Sequence, residues 1–252
     1  QIFLVLILAL AIFGAYFKVL KAEFVYDDIG FIVNNRAIQS FTPFSKFLTD
    51  PNIFTGSQGE GEARNWRPIA SLAFAIEYNL LGPAPFGFHL ISIILHLINT
   101  ILVYFLVRKI TNRPDIAIIV TSLWALHPVL TEAVSWVSNQ SSLIFFTFFI
   151  LSALAILKYK ENQDKKTFIW ISYVFFTFSL LSKETALGGI FVILVFFLYY
   201  FNFKKHLKLF APFLLIGAAY LLARYQILGS FGDHAYRGSF LENLLLAPTI
   251  FA

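Results

Sequence analysis

A string of apolar segments, each near the length needed to cross a bilayer, constrains this chain more than any other feature. A bilayer core takes roughly 20 apolar residues in a helix. Seven segments approach that length. The run Gln1–Gly14 continues to about Leu20, and Phe86–Val107 follows. Ile116–Val137 is interrupted by His127-Pro128, and Leu143–Leu157, Phe168–Leu181, Leu187–Phe203 and Leu207–Leu228 complete the set. Gln1–Leu20 lacks a small-residue cleavage pattern and is too long for a signal-peptide core, so it reads as a span. Composition agrees: 58% of residues are hydrophobic and 13% charged, against roughly 45–50% and about 25% in soluble domains. An ordinary soluble domain and a disordered chain are excluded. The absence of Cys excludes a disulfide scaffold. The expectation is an all-α integral membrane protein with about seven spans. The chain contains no Met and opens at Gln1 inside an apolar run, while Leu241–Ala252 stops in mid-pattern. It is therefore expected to be a piece of a longer protein, a single membrane domain over residues 1–252 that lacks both true ends.

Lys and Arg in short loops set the orientation. Arg108, Lys109 and Arg113 follow the second span. Lys158, Lys160, Lys165 and Lys166 follow the fourth, and Lys204, Lys205 and Lys208 the sixth. These loops hold ten of the 19 basic residues. The opposite loops are nearly bare: Pro128–Gln140 has none and Ser182–Thr185 has one. The basic side is read as cytoplasmic, which turns the loop 21–85 outward, to periplasm or lumen; a bacterial inner membrane is the expected setting. The net charge of +5 is then a topology signal, and nucleic-acid binding loses its motivation. Of the 14 acidic residues only Asp115, Glu161 and Asp164 fall on the basic side.

The outward loop begins with Tyr26-Asp27-Asp28, two adjacent carboxylates within a turn or two of the membrane surface. A carboxylate there is placed to act as general base for a hydroxyl nucleophile. Capping the helix that runs through Phe31 is the structural alternative. Thr42 or Ser45 is a candidate cap for a short helix through Leu48, and Thr55–Glu62 reads as a Gly-rich, polar excursion. In Asn65-Trp66-Arg67-Pro68, Trp66 reads as an interface anchor. Arg67 is a candidate phosphate clamp, because its planar fork suits phosphate oxygens. The segment 69–81 contains Glu77, ends at Gly82-Pro83 and reads as a helix lying on the membrane surface.

Polar residues within apolar spans are costly unless paired or functional. His89, Ser92, His96 and Asn99 share one helix face, and interhelical hydrogen bonding is their expected use. The two His stand about 10 Å apart along that axis, too far to share one metal ion. Pro128 breaks the third span and leaves His127, Glu132, Trp136, Ser138, Asn139 and Gln140 at the outward edge. The fifth span ends in Lys183-Glu184, expected to pair with each other or with a lipid phosphate. Arg224 lies near the outward end of the seventh, where headgroup snorkelling is the alternative. Polar or ionic residues thus mark four separate outward span ends, with Arg67 nearby.

Tyr26-Asp27-Asp28, Asn65-Trp66-Arg67-Pro68, His96-Leu-Ile-Asn99, His127-Pro128-Val-Leu-Thr-Glu132-Ala-Val and Leu181-Ser182-Lys183-Glu184 occur in that order. Together they resemble the transmembrane, TPR-repeat-containing O-mannosyltransferases and their bacterial relatives, within the protein O-mannosyltransferase superfamily of GT-C fold. The resemblance covers most of residues 15–230. It implies a GT-C-like bundle and a glycosyltransferase that uses a polyprenyl-phosphate sugar. It also implies a catalytic acidic residue in the first outward loop, a role that carries to Asp27 or Asp28. The family often has a basic residue shortly after the His-Pro stretch, where this chain reads Asn139-Gln140-Ser141-Ser142. The phosphate contact then falls to Arg67, Lys183 or Arg224.

The expected reaction is an inverting transfer to an acceptor hydroxyl on a protein, glycan or lipid. Asp27 or Asp28 serves as base, the three cations hold the donor phosphate, and His127, Glu132, Glu184 and His96 support them. No tight metal site is visible, although a divalent cation held by Asp27 and Asp28 stays open. The rival readings are a transporter or lipid flippase and a non-catalytic membrane assembly subunit. A flippase should show paired broken helices at corresponding positions, and only one break is evident.

Overall fold

The structure is a computed structural model that describes residues 2–40, 43–56, 65–201 and 203–229. Every regular element among the described residues is helical. Helix α1 (Ile2–Tyr16) leads into the loop expected to face outward, which carries a π-helical turn at Ile29–Val33, α2 (Arg36–Gln39) and α3 (Phe44–Thr49). Then come α4 (Pro68–Leu81), α5 (Pro85–Thr111), α6 (Pro114–Ala125), α7 (Thr131–Ser135), α8 (Gln140–Glu161), α9 (Thr167–Ser182), α10 (Gly189–Tyr200) and α11 (Phe203–Leu228). Pro opens α4, α5 and α6 at their first positions, where its missing N–H costs nothing. Asn112 ends α5 in the left-handed conformation, φ 53°, behind Arg108 and Lys109 in the last turn. The Thr42 cap and most of the Gly-rich excursion lie outside the described residues.

Among the described residues three helices are long and apolar enough to cross a membrane: Pro85–Thr111, Val137–Glu161 and His206–Leu228. A fourth crossing is available if α6 and Pro128–Ser135, bent by 53° at the expected His127-Pro128 break, form one span. Helices α4 and α9 and the segment Glu184–Tyr200 are apolar but shorter than that. The sixth expected span, Leu187–Phe203, begins inside a 3-10 segment, Glu184–Gly188, and continues as α10, which leaves Glu184 on an irregular turn.

Close helix contact comes from small polar residues. Ser152 Oγ on α8 donates 2.9 Å to the Ser172 carbonyl on α9, and Ser179 Oγ donates 2.8 Å to that of Phe145. In lipid such bonds join helices that gain no hydrophobic drive from each other. Aromatic residues fill the gaps: Phe176, Phe197 and Phe213 are wholly buried in one cluster with Tyr173. The two ends of the bundle separate by charge. Lys109 at the end of α5 pairs with Glu161 at the end of α8, and Lys160 Nζ lies 4.5 Å from the Tyr200 ring centroid. The ends expected to face outward meet one another at the opposite pole, described next.

Candidate functional site

Helix α4 starts at Pro68, so Arg67 is held at its N-cap, where it can reach the turn that follows α9. Its Nε and Nη2 donate to the two Glu184 carboxylate oxygens at 3.1 and 2.7 Å, a bidentate ion pair. The guanidinium carbon stands 4.9 Å from the centre of the Phe54 ring, and a cation over an aromatic face is itself favourable. Arg224 approaches from α11, its Nη1 3.7 Å from the same Glu184 carboxylate and 3.5 Å from the Tyr220 hydroxyl. Arg224 is 5% exposed, which sets headgroup snorkelling aside. Burial pushes the Glu184 carboxyl up, but Arg67 and then Arg224 outweigh it and hold it at about 2.

Lys183 turns the other way. Its Nζ donates 2.8 Å to Asn139 Oδ1 and 2.6 Å to Ser142 Oγ. Asn139 Nδ2 donates 3.0 Å to Glu132 Oε1. Burial, and then the Arg67 charge, lower the Lys183 pKa. The expected pairing of Lys183 with Glu184 is therefore replaced: adjacent residues on an irregular turn point to different partners. The position that lacks a basic side chain, around Asn139–Ser142, is instead occupied by the ammonium of Lys183.

The carboxylate pair divides into two roles. Asp28 is 1% exposed. Its Oδ2 accepts from Val25 N at 3.0 Å, and its Oδ1 accepts from Ser138 N at 2.8 Å and from Ser138 Oγ. It makes no cap bond to the turn it precedes; it clamps the outward loop to the segment before α8. Asp27 is exposed and accepts no hydrogen bond among the described residues. Tyr26 just before it is 87% exposed and has φ 49°. Strain of that kind concentrates where a chain is held for function.

Asp28, Ser138, Asn139, Lys183, Glu184, Arg67 and Arg224 thus form one polar band assembled from five chain segments. Three other expectations change. His96 leaves the supporting set, being fully buried away from the band, but makes the expected interhelical contact, with Nε2 2.9 Å from the Ala125 carbonyl of α6 and its ring against Tyr16 and Trp124. His127 is exposed, and its Nδ1 accepts from Val129 N at 3.2 Å to shape the turn after the break. Trp66 is 5% exposed and stacks on Tyr220 at 5.5 Å, with Nε1 donating to Leu48 O, so it is a core residue rather than an interface anchor. Asn99 makes the expected interhelical bonds, donating 3.0 Å to Leu143 O and accepting from Thr147 Oγ1, whereas His89 turns toward the backbone of Ala22 and the Ser92 hydroxyl has no hydrogen-bond partner among the described residues. The sequence reading missed Ser138 and Ser142 as partners of Asp28 and Lys183. The polar run at the head of an otherwise apolar span was their signal. Among the described residues no three His, Cys, Asp or Glu gather within a metal's reach. The donors on Asp28 leave Asp27 as the open carboxylate of the pair.

Fold and site together define a helical membrane protein with an ionic site on one end of its bundle. A family profile described as dolichyl-phosphate-mannose-protein mannosyltransferase matches residues 67–225. The chain belongs to that family. It is 30% identical over 190 residues to Protein O-mannosyl-transferase Tmtc2 of Drosophila melanogaster, covering 73% of this chain and 20% of that protein. It is 30% identical over 209 residues to Protein O-mannosyl-transferase TMTC1 of Homo sapiens, covering 75% and 23%, and 32% identical over 201 residues to TMTC4 of Mus musculus, covering 69% and 27%. The chain spans about a fifth to a quarter of the length of these relatives. No solved structure matches it. The family match begins at Arg67, the first cation of the band, and ends just past Arg224, the last.

Proposed function

We propose that this chain carries the catalytic membrane part of an O-mannosyltransferase that moves a sugar from a polyprenyl-phosphate donor to an acceptor hydroxyl. One observation carries the reading. Arg67 and Arg224, far apart in sequence, meet on Glu184, and Lys183 beside it reaches Asn139 and Ser142, at the pole that also holds Asp27 and Asp28. Glu184 offsets part of the positive charge and fixes both guanidinium groups. The three cations exceed it, which suits an anionic phosphodiester. Charge grows on that phosphate as the bond to the sugar breaks, and preorganised cations lower the barrier most at such a point. Asp27 takes the proton from the acceptor oxygen as that oxygen attacks the anomeric carbon. The lipid phosphate leaves from the opposite face, so configuration inverts. Asp28 holds the Asp27 turn in place through Ser138. In this reading the bundle is of GT-C type with about seven spans, the shorter helices included. The polar band faces periplasm or lumen, and protein, glycan and lipid hydroxyls are all candidate acceptors.

The test is transfer by membranes containing the full-length protein and a polyprenyl-phosphate sugar. Asp27→Asn should lower turnover by roughly 10²–10⁴-fold, the usual contribution of a general base, with expression and melting unchanged. Wild-type turnover in Asp27→Asn would remove the base assignment. Arg67→Ala should abolish binding of the labelled donor, and intact binding would favour a non-catalytic membrane subunit.

A further inference from the structure

Glu132, Asn139 and Ser142 sit beside Lys183 and have no defined part in the proposed transfer. They come from α7, from the 3-10 turn Val137–Asn139 and from the first turn of α8. Asn139 Oδ1 accepts from Lys183 Nζ at 2.8 Å and from Ser142 Oγ at 2.5 Å. Ser142 Oγ itself accepts from Lys183 Nζ at 2.6 Å. On its other side the Asn139 amide donates through Nδ2 to Glu132 Oε1 at 3.0 Å. These partners fix which way the amide faces. An ammonium can only donate and a carboxylate can only accept, so the amide oxygen must face Lys183 and the nitrogen Glu132. An ammonium carries three N–H groups, and its bonds to Asn139 and Ser142 leave the third for a ligand.

The cations of the band are held in two different ways. Arg67 and Arg224 share the charge of Glu184. Lys183 is held by the neutral oxygens of Asn139 and Ser142, and among the described residues no carboxylate lies within ion-pair distance of it. A neutral holder fixes an ammonium without cancelling its charge, whereas a carboxylate there would compete with an incoming anion. We infer that Asn139, kept in orientation by Glu132, is a positioning residue that presents the Lys183 ammonium to the donor phosphate with its charge uncompensated. The inference rests on the proposed contact between Lys183 and that phosphate. It adds that the chain needs a neutral amide at Asn139, and that Glu132, although negative, favours the binding of an anion.

The test measures how tightly the full-length protein in phosphatidylcholine nanodiscs binds radiolabelled farnesyl-phosphate mannose, together with its Tm. Asn139→Asp keeps the size of the side chain and sets a carboxylate against the ammonium. It should weaken donor binding about tenfold, the order expected of one added charge at a partly exposed site, while Tm holds or rises because a new ion pair forms. A merely structural role would lower affinity and Tm together. Glu132→Gln supplies a second sign. Removing a negative charge should by itself tighten the binding of an anion. Loss of the amide's orientation should instead weaken it about threefold, the scale of one hydrogen bond. Unchanged or tighter binding in Glu132→Gln, or wild-type affinity in Asn139→Asp, overturns the inference, and either arm decides the matter if the other variant does not fold. Lys183→Ala separates the two readings. Lost donor binding there, with wild-type affinity in Asn139→Asp, removes the role of Asn139 and leaves the phosphate contact standing. Unchanged affinity in Lys183→Ala removes the phosphate contact and this inference with it.

Discussion

Glu184 is the residue on which the polar band turns. It accepts two bonds from Arg67 and lies within ion-pair distance of Arg224. Glu184→Gln keeps the shape but leaves two largely buried guanidinium groups without a counter-charge. Breaking a buried pair costs about 3–5 kcal/mol, and the 30% exposure of the Glu184 side chain reduces this to the order of 2 kcal/mol. A melt of the purified protein should show the loss, and an unchanged Tm would mean that the pair contributes nothing. The pH dependence has a definite sign. The folded carboxyl sits at about 2, below its ordinary 4.5. Its stabilisation is therefore fully present above the ordinary carboxylate range and fades as pH falls from about 4.5 toward 2. Glu184→Gln should lack that acid-side slope. Asp28 and Asp27 show how little residue type decides here. They are adjacent and identical, yet one is buried under three donors and the other faces solvent.

At the scale of elements, the outward loop depends on a backbone contact. Gly56 has φ +66°, and a Cβ there would lie 2.4 Å from the carbonyl oxygen of Gly30. Asn35 ties the same region together, its Nδ2 donating to Phe31 O at 2.9 Å and Ile53 O at 2.7 Å. Gly56→Ala adds both left-handed strain and a backbone clash. It should destabilise the loop by roughly 2–3 kcal/mol, seen as faster amide exchange across residues 29–56. Unaltered exchange would show that the loop is not pinned there. The helices were legible to different degrees. Pro at the first position of α4, α5 and α6, and the break at His127-Pro128, are local signals that need no partner. The extent of α9 was legible, the expected Phe168–Leu181 appearing as Thr167–Ser182, whereas the 3-10 turn Glu184–Gly188 ahead of α10 was not. Hydropathy does not register the backbone change that aims Lys183 and Glu184 apart.

For the whole molecule, the separation of charge between the two poles makes orientation testable. The chain has no Cys, so single cysteines report cleanly. Glu23→Cys, in the outward loop, and Asp164→Cys, between α8 and α9, are both at exposed positions. An impermeant maleimide should label the first in intact spheroplasts and the second only after permeabilisation. Labelling of both from one side would overturn the orientation and, with it, the outward placement of the polar band. The sequence by itself determined the helical membrane class and which short loops carry the Lys and Arg. Lipid forces backbone bonds to close within each segment, and loop charge is a property of position along the chain. Only the tertiary structure decided which polar ends meet. Arg67 and Glu184 are 117 residues apart and Asp28 and Ser138 are 110 apart, and their contact depends on how helices rotate and stack. The same stacking buried His96, left His127 on a local turn and set Glu77 against Gln140, because which way a side chain faces is fixed by its neighbours and not by its place in the chain.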